Sequence, residues 1–240
     1  MKNNVVRKVV SFLAALFFPP RCPFCDRVIA LGSISCKECQ KKIRYVRGSV
    51  CYQCGKSLSK DTAEYCRDCL RVKHHYDRGW ALYQYESIKN SLYRFKYHDR
   101  PGYAAHYAKD MARRMTILHT LSVDCILPVP MYARKERSRG YNQAKELAKY
   151  LSKELEIPWN PRLLRRVKKT KPMKELGPSE RQLNLRNAFQ IRSNDVKLKS
   201  ILLVDDIYTT GATIDACSLV LKTQGIEKVY FVALAIGDGV

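Results

Sequence analysis

The chain has 240 residues, 46% of them hydrophobic, with 44 Lys and Arg against 22 Asp and Glu, a formal net charge of +22. That length holds one or two domains with a buried core, and a charge so far from neutral points to an anionic partner. No apolar run reaches the roughly 18 residues that a membrane span needs, so no transmembrane helix is expected.

Residues 1–18 superficially copy a signal peptide, with Lys2, Arg7 and Lys8 ahead of a largely apolar stretch from Val9 to Phe18. No small-x-small cleavage site follows, and Phe17-Phe18-Pro19-Pro20-Arg21 runs straight into a cysteine. Residues 1–20 therefore read as a leader helix packed on the next module. The protein is then cytoplasmic and its thiols are reduced.

Residues 21–76 contain four Cys-x-x-Cys pairs: Cys22/Cys25, Cys36/Cys39, Cys51/Cys54 and Cys66/Cys69. Each pair presents two thiolates to one metal, and two pairs complete a tetrahedral site. Zinc suits four soft thiolates better than other metals, and reduced thiols disfavour a disulfide framework. Two structural zinc sites are expected, paired either sequentially or interleaved. Without metal this double ribbon has too little apolar content for its own core and should be unfolded. Eight thiolates and two Zn²⁺ would bring the formal charge from +22 to +18, still strongly basic.

Asp77-Arg78-Gly79-Trp80 marks the start of the second domain, residues 77–240, and a brief alternation from Trp80 to Tyr85 suggests a strand. Ile88, Leu92 and Phe95 recur at helical spacing, as do Ala108, Met111, Ala112 and Met115. Between them, Tyr93 to Arg100 interleaves aromatics and cations. Such a stretch either stacks nucleobases or is an amphipathic helix with buried rings. Val123 to Val129 reads as a core strand. The cation-rich stretch Arg134 to Arg139 leads to a helix striped by Ala144, Leu147, Ala148, Leu151 and Leu155. Asn142 and Gln143 are open between capping that helix and contacting a ligand.

Leu163 to Val167 resembles a further strand, and the long polar insertion Thr170 to Leu185 has the character of a lid or binding loop. Residues 132–192 carry 17 Lys and Arg against 6 Asp and Glu, a surplus that favours a polyanion beside this half. Cys125 and Cys217 fall in core patterns, and the five histidines show no ligand spacing.

Ile201 to Val204 reads as a strand buried on both faces, which Asp205 and Asp206 end at the edge where α/β sheets hold ligands. Thr209-Thr210-Gly211-Ala212-Thr213 then opens a helix whose apolar side is Ile214, Cys217 and Leu221, and which Gly225 closes. A helix N-terminus ringed by hydroxyls suits a phosphate, and paired carboxylates upstream suit the hydroxyls of a sugar. Together they describe a ribose 5-phosphate. Val229 to Ile236 supplies the last strand.

This stretch resembles the signature of the type I phosphoribosyltransferases, which bind phosphoribosyl pyrophosphate (PRPP) with Mg²⁺. The resemblance implies an α/β fold, a parallel sheet flanked by helices, behind the small zinc-ribbon module. It implies Asp205 and Asp206 as catalytic carboxylates on the ribose hydroxyls and Thr209, Thr210, Gly211, Ala212 and Thr213 as the 5-phosphate loop. Pro130, Met131, Arg134 and Arg139 become candidates for the pyrophosphate side, and 170–185 for the hood loop. Purine-salvage members usually carry aspartate where this chain has Thr209, which disfavours a purine.

Phe18-Pro19-Pro20-Arg21-Cys22-Pro23-Phe24-Cys25, Leu127-Pro128-Val129-Pro130, Arg139-Gly140-Tyr141-Asn142-Gln143 and Glu180-Arg181-Gln182-Leu183-Asn184 extend the resemblance to nearly the whole chain. It is similar to the ComF family of competence-associated proteins. The family's usual Thr-x-x-Gln stretch appears here as Thr170-Lys171-Pro172-Met173, without the glutamine. The resemblance implies handling of single-stranded DNA in natural transformation, with other competence or DNA-processing proteins as partners. Two functions stay open: a module that binds PRPP and DNA, or an enzyme that transfers the phosphoribosyl group to a small acceptor.

Overall fold

The computed structural model describes residues 19–58, 63–168, 188–192 and 198–237. The expected leader helix, the insertion 170–185 and its Glu180–Asn184 stretch lie outside the described residues, apart from Pro19 and Pro20.

Two short helices, α1 (Lys37–Lys42) and α2 (Arg67–Arg71), each follow the third cysteine of a cluster. Strand β1 (Arg78–Gln84) then leads into α3 (Tyr85–Tyr97), α4 (Tyr103–Arg114) and the single turn α5 (Ile117–Thr120). Strand β2 (Cys125–Pro128) is followed by α6 (Ala133–Arg139) and α7 (Gln143–Leu155). A small ribbon, β3 (Leu164–Arg166) with β4 (Phe189–Ile191), precedes β5 (Ser200–Tyr208), α8 (Ala212–Lys222) and β6 (Lys228–Ile236).

The main sheet has the order β1-β6-β5-β2, every pair parallel. Its central strands are continuous apolar runs because helices or ribbon cover both faces. On β5, Ile201 and Leu203 face one core with Cys217 and Leu221 of α8. Leu202 and Val204 face the other, with α3, α4 and α7. The ribbon β3–β4 is antiparallel and separate from this sheet, so the strand expected at 163–167 is not a sheet member.

One expectation needs correction. Asp205 and Asp206 do not end β5, which runs on to Tyr208 because β6 is equally long and pairs Asp205 with Ala233 and Tyr208 with Ile236. The cation-rich stretch after β2, whose secondary structure the sequence left open, contains α6, a charged helix with no buried residue. Of the two readings of Tyr93 to Arg100, the amphipathic helix holds for Phe95, which is fully buried on the Ile88 and Leu92 stripe, whereas Tyr93 and Tyr97 are exposed and free to stack an external ring.

The ribbons are built into the domain rather than tethered to it. Asp26 of the first accepts from Tyr103 (2.6 Å) and Arg100 (2.9 Å), and Ser91 and Arg94 donate to the carbonyls of Pro23 and Phe24. Cys51, Cys54 and Cys66 of the second share a core with Phe231 and Tyr208. The Phe231 ring also covers Gly79 of β1, where a Cβ would stand 1.8 Å from it.

Candidate functional site

The cysteines resolve the pairing question. Cys22, Cys25, Cys36 and Cys39 form one cluster and Cys51, Cys54, Cys66 and Cys69 the other, with the sulfurs of each within 4.8 Å of one another. The pairing is sequential. Cys25 and Cys36 Sγ atoms stand 3.6 Å apart and those of Cys54 and Cys66 3.7 Å. A tetrahedral zinc with bonds of about 2.3 Å separates its sulfurs by about 3.8 Å, so both clusters fit the ion. All ten cysteines are free of disulfides, and Cys125 and Cys217 are buried core residues as expected.

The second constellation lies at the carboxyl end of β5. Asp205 Oδ1 accepts a hydrogen bond from Asp206 N at 2.8 Å, and Asp206 pairs with Lys96 of α3 at 2.8 Å. Desolvation by the surrounding protein, then the charge of Asp206, push the Asp205 carboxyl up to about 8. The residue as a whole keeps some solvent access at the sheet edge.

Beyond Tyr208 the chain turns through Thr209 and Thr210 to Gly211, whose φ of +80° suits glycine. Gly211 is also the N-cap of α8, and it has no side chain with which to cap. The first-turn N–H groups are therefore left for an anion. Asp205 and residues 207–214 line a small cavity of about 30 Å³ there. Thr209 is exposed, and Thr210 and Thr213 are half-buried.

Cations converge on the acids from three elements. Partial desolvation and the like charges of Arg139, Lys96 and Arg166 hold the Lys135 ammonium below its usual range, while Asp206 opposes them. Arg166, at the end of β3, is lowered by burial and opposed by Cys217 and Asp205. Arg139 donates to Gln143 (2.7 Å) and lies over the Tyr97 ring at 4.9 Å. Arg134 is exposed on α6, and Pro130 and Met131 are half-buried between β2 and α6.

Asn142 and Gln143 prove structural. Asn142 caps α7 by accepting from Ala144 N and donates to the Val129 carbonyl, both at 3.0 Å, and Gln143 donates to the Phe95 carbonyl. A larger cavity of 1120 Å³ lies elsewhere, between the first ribbon, β1 and α4, and touches none of these acids.

Residues 13–70 match the double zinc ribbon domain family. Competence protein F of Haemophilus influenzae is 31% identical over 227 residues, covering 91% of this chain and 98% of that protein. The chain belongs to the competence protein F (ComF) family. A second relative, the DNA utilization protein YhgH of Salmonella typhimurium, is 30% identical over 89% of this chain and 96% of its own length. Among solved structures, adenine phosphoribosyltransferase from Leishmania tarentolae is 17% identical over 65% of this chain and 76% of that one, with a TM-score of 0.36.

In this ComF chain the sequence singled out the acids, the loop and Arg139, which the fold brings to one sheet edge. It named Lys96 and Lys135 only within cation-rich stretches, not as neighbours of the acids, and it did not single out Arg166 or, behind the loop, His74 and Asp215. Adjacent arginines ending a short strand were the one local signal for Arg166. Among the described residues no helix is long and apolar enough to cross a membrane.

Proposed function

We propose that this ComF-family chain binds PRPP together with Mg²⁺ at the edge formed by β5 and α8, and single-stranded DNA beside it, in DNA uptake during natural transformation. One observation carries the reading: paired acids and an uncapped helix N-terminus share a sheet edge ringed by Lys96, Lys135, Arg139 and Arg166. In that reading Asp205 and Asp206 accept from the ribose hydroxyls, and residues 209–213 cradle the 5-phosphate. The cations from α3, α6 and β3 face the pyrophosphate. Two adjacent carboxylates are the hard oxygen donors that Mg²⁺ prefers, and the ion would neutralise pyrophosphate charge. The names of the relatives, competence protein F and DNA utilization protein, supply the DNA context.

A second reading, transfer of the phosphoribosyl group from PRPP to a small acceptor, is favoured by Asp205. A carboxyl poised near neutral pH could exchange a proton with an acceptor. Calorimetric titration with PRPP and Mg²⁺, with and without Asp205→Asn/Asp206→Asn, tests both. Lost charge-assisted bonds of roughly 1.5–3 kcal/mol each predict at least a tenfold drop in affinity. Unchanged binding in the double variant removes the acids from the site. Pyrophosphate release from PRPP in the presence of an acceptor would decide for the enzyme.

A further inference from the structure

The segment that leaves the second ribbon is strapped along α8, the helix whose first turn closes the 209–211 loop. At the N-terminal end, the Asp215 carboxylate meets His74 Nδ1 at 2.6 Å and accepts from His75 N at 2.8 Å. Asp215 lies in the first turn of α8 and is 6% exposed. At the other end, Asp77 pairs with Lys222 in the last turn at 2.9 Å and accepts from Val229 N at 2.8 Å. Between these anchors the Tyr76 and Tyr208 hydroxyls are 2.7 Å apart, and the Tyr76 ring stacks on His74 with centroids 4.7 Å apart. The loop itself leans on the strap: a Cβ on Gly211 would stand 3.2 Å from His74 Cε1 and 2.7 Å from the Tyr208 hydroxyl. The strap begins five residues after Cys69.

The charge arrangement gives the strap a task. Asp215 is an anion beside the N-terminal end of α8, the end that favours negative charge. With its oxygens engaged by His74 and His75, it faces the ribbon. Released, it would compete with a bound phosphate for the same first-turn N–H groups.

We propose that His74, Tyr76 and Asp215 are positioning residues for the 209–213 loop, and that the second four-cysteine centre, acting through the strap His74–Asp77, sets that loop's affinity for phosphate. This rests on the reading of the loop as a phosphate subsite, and the test separates the two. Amide hydrogen exchange, zinc content and calorimetry with PRPP and Mg²⁺ are measured on the full metal-loaded chain and on His74→Ala and His74→Asn. Asparagine keeps a donor near the Nδ1 position. In His74→Ala, exchange over 209–215 should rise about tenfold and PRPP affinity fall about tenfold, with two zinc ions retained and exchange in β2 and α7 unchanged. His74→Asn should restore most of both. A rise spread evenly over all elements would mark a merely structural role and overturn the proposal, as would unchanged exchange at 209–215. Loosening of 209–215 in a protein that binds no PRPP even as wild type would overturn the phosphate reading and leave the strap standing. Cys69→Ser should loosen the same residues, and Cys39→Ser should not. If Cys69→Ser does not fold, the two His74 variants decide.

Discussion

Lys96 reaches from α3 to β5 and sets its ammonium 2.8 Å from an Asp206 carboxylate oxygen, in a pair whose side chains are both more than four-fifths buried. Asp206 thus lies between Lys96 and Asp205, and its charge helps to push the Asp205 carboxyl up. The two acids divide the work electrostatically. One is paired with Lys96, and the other carries the carboxyl raised by burial and by its neighbour.

The first prediction follows from that division. The Asp205 carboxyl is raised from 3.8 to about 8, so between those values the native chain holds a proton that the unfolded chain lacks. Stability is then greatest at the low end of this window and falls as pH rises through it, by at most about 1.4 kcal/mol per pH unit from this group. Asp205→Asn should flatten the dependence in denaturant titrations between pH 5 and 8. PRPP–Mg²⁺ binding should tighten over the same range and release a proton, read by calorimetry in two buffers of different ionisation enthalpy. Binding that is indifferent to pH would refute the assignment.

Gly211 provides the second. Its φ of +80° costs any other residue about 1–2 kcal/mol, and an added Cβ would press on Tyr208 and His74. Gly211→Ala should lower the melting temperature and displace the loop, weakening PRPP binding by more than the stability loss explains. Wild-type melting and affinity in this variant would show that the loop geometry does not matter.

How much of this was legible beforehand depends on whether the signal was local. The runs Ile201–Val204 and Val229–Ile236 betrayed themselves because strands covered on both faces have no polar alternation, and the cysteine spacing fixed two four-sulfur sites. Lys96 and Arg166 were not legible as partners of the acids, since three different elements must pack before they meet. Helix α6 has no apolar stripe, so nothing periodic distinguished Ala133–Arg139 from a loop. Phe95 was legible after all: it continues the Ile88 and Leu92 stripe, and that spacing outweighs its place among exposed tyrosines.

The third prediction concerns metal. Purified protein should carry two zinc ions per chain by elemental analysis. Asp26, Pro23 and Phe24 tie the first ribbon to α3 and α4, and the second shares a core with Phe231. Chelation should therefore lower a single cooperative transition rather than melt a separate module. Two transitions, the upper one unmoved by chelator, would contradict this shared packing.

The last prediction concerns nucleic acid. Tyr93 and Tyr97 stand exposed on α3 with ring centroids 5.0 Å apart, and Arg139 of α6 lies over Tyr97. The platform adjoins Lys96 and the acids through α3 itself. Stacking is worth about 1–3 kcal/mol per base, so Tyr97→Ala should weaken single-stranded DNA binding about tenfold while leaving its salt dependence unchanged. Neutralising Arg134, Lys135, Arg137 and Arg139 together should instead flatten the log–log salt slope, by roughly 0.7 for each phosphate that the protein no longer neutralises. Phe95→Ala is the control: it should cost about 3–5 kcal/mol of stability by opening a core cavity, and any loss of DNA binding should track unfolding. Fluorescence anisotropy with a short oligonucleotide at several salt concentrations reads all three. PRPP that displaces the oligonucleotide would place both ligands on one surface, whereas simultaneous binding would leave the β5–α8 edge as an independent pocket. No binding even at low salt would mean that the basic face serves a different anion.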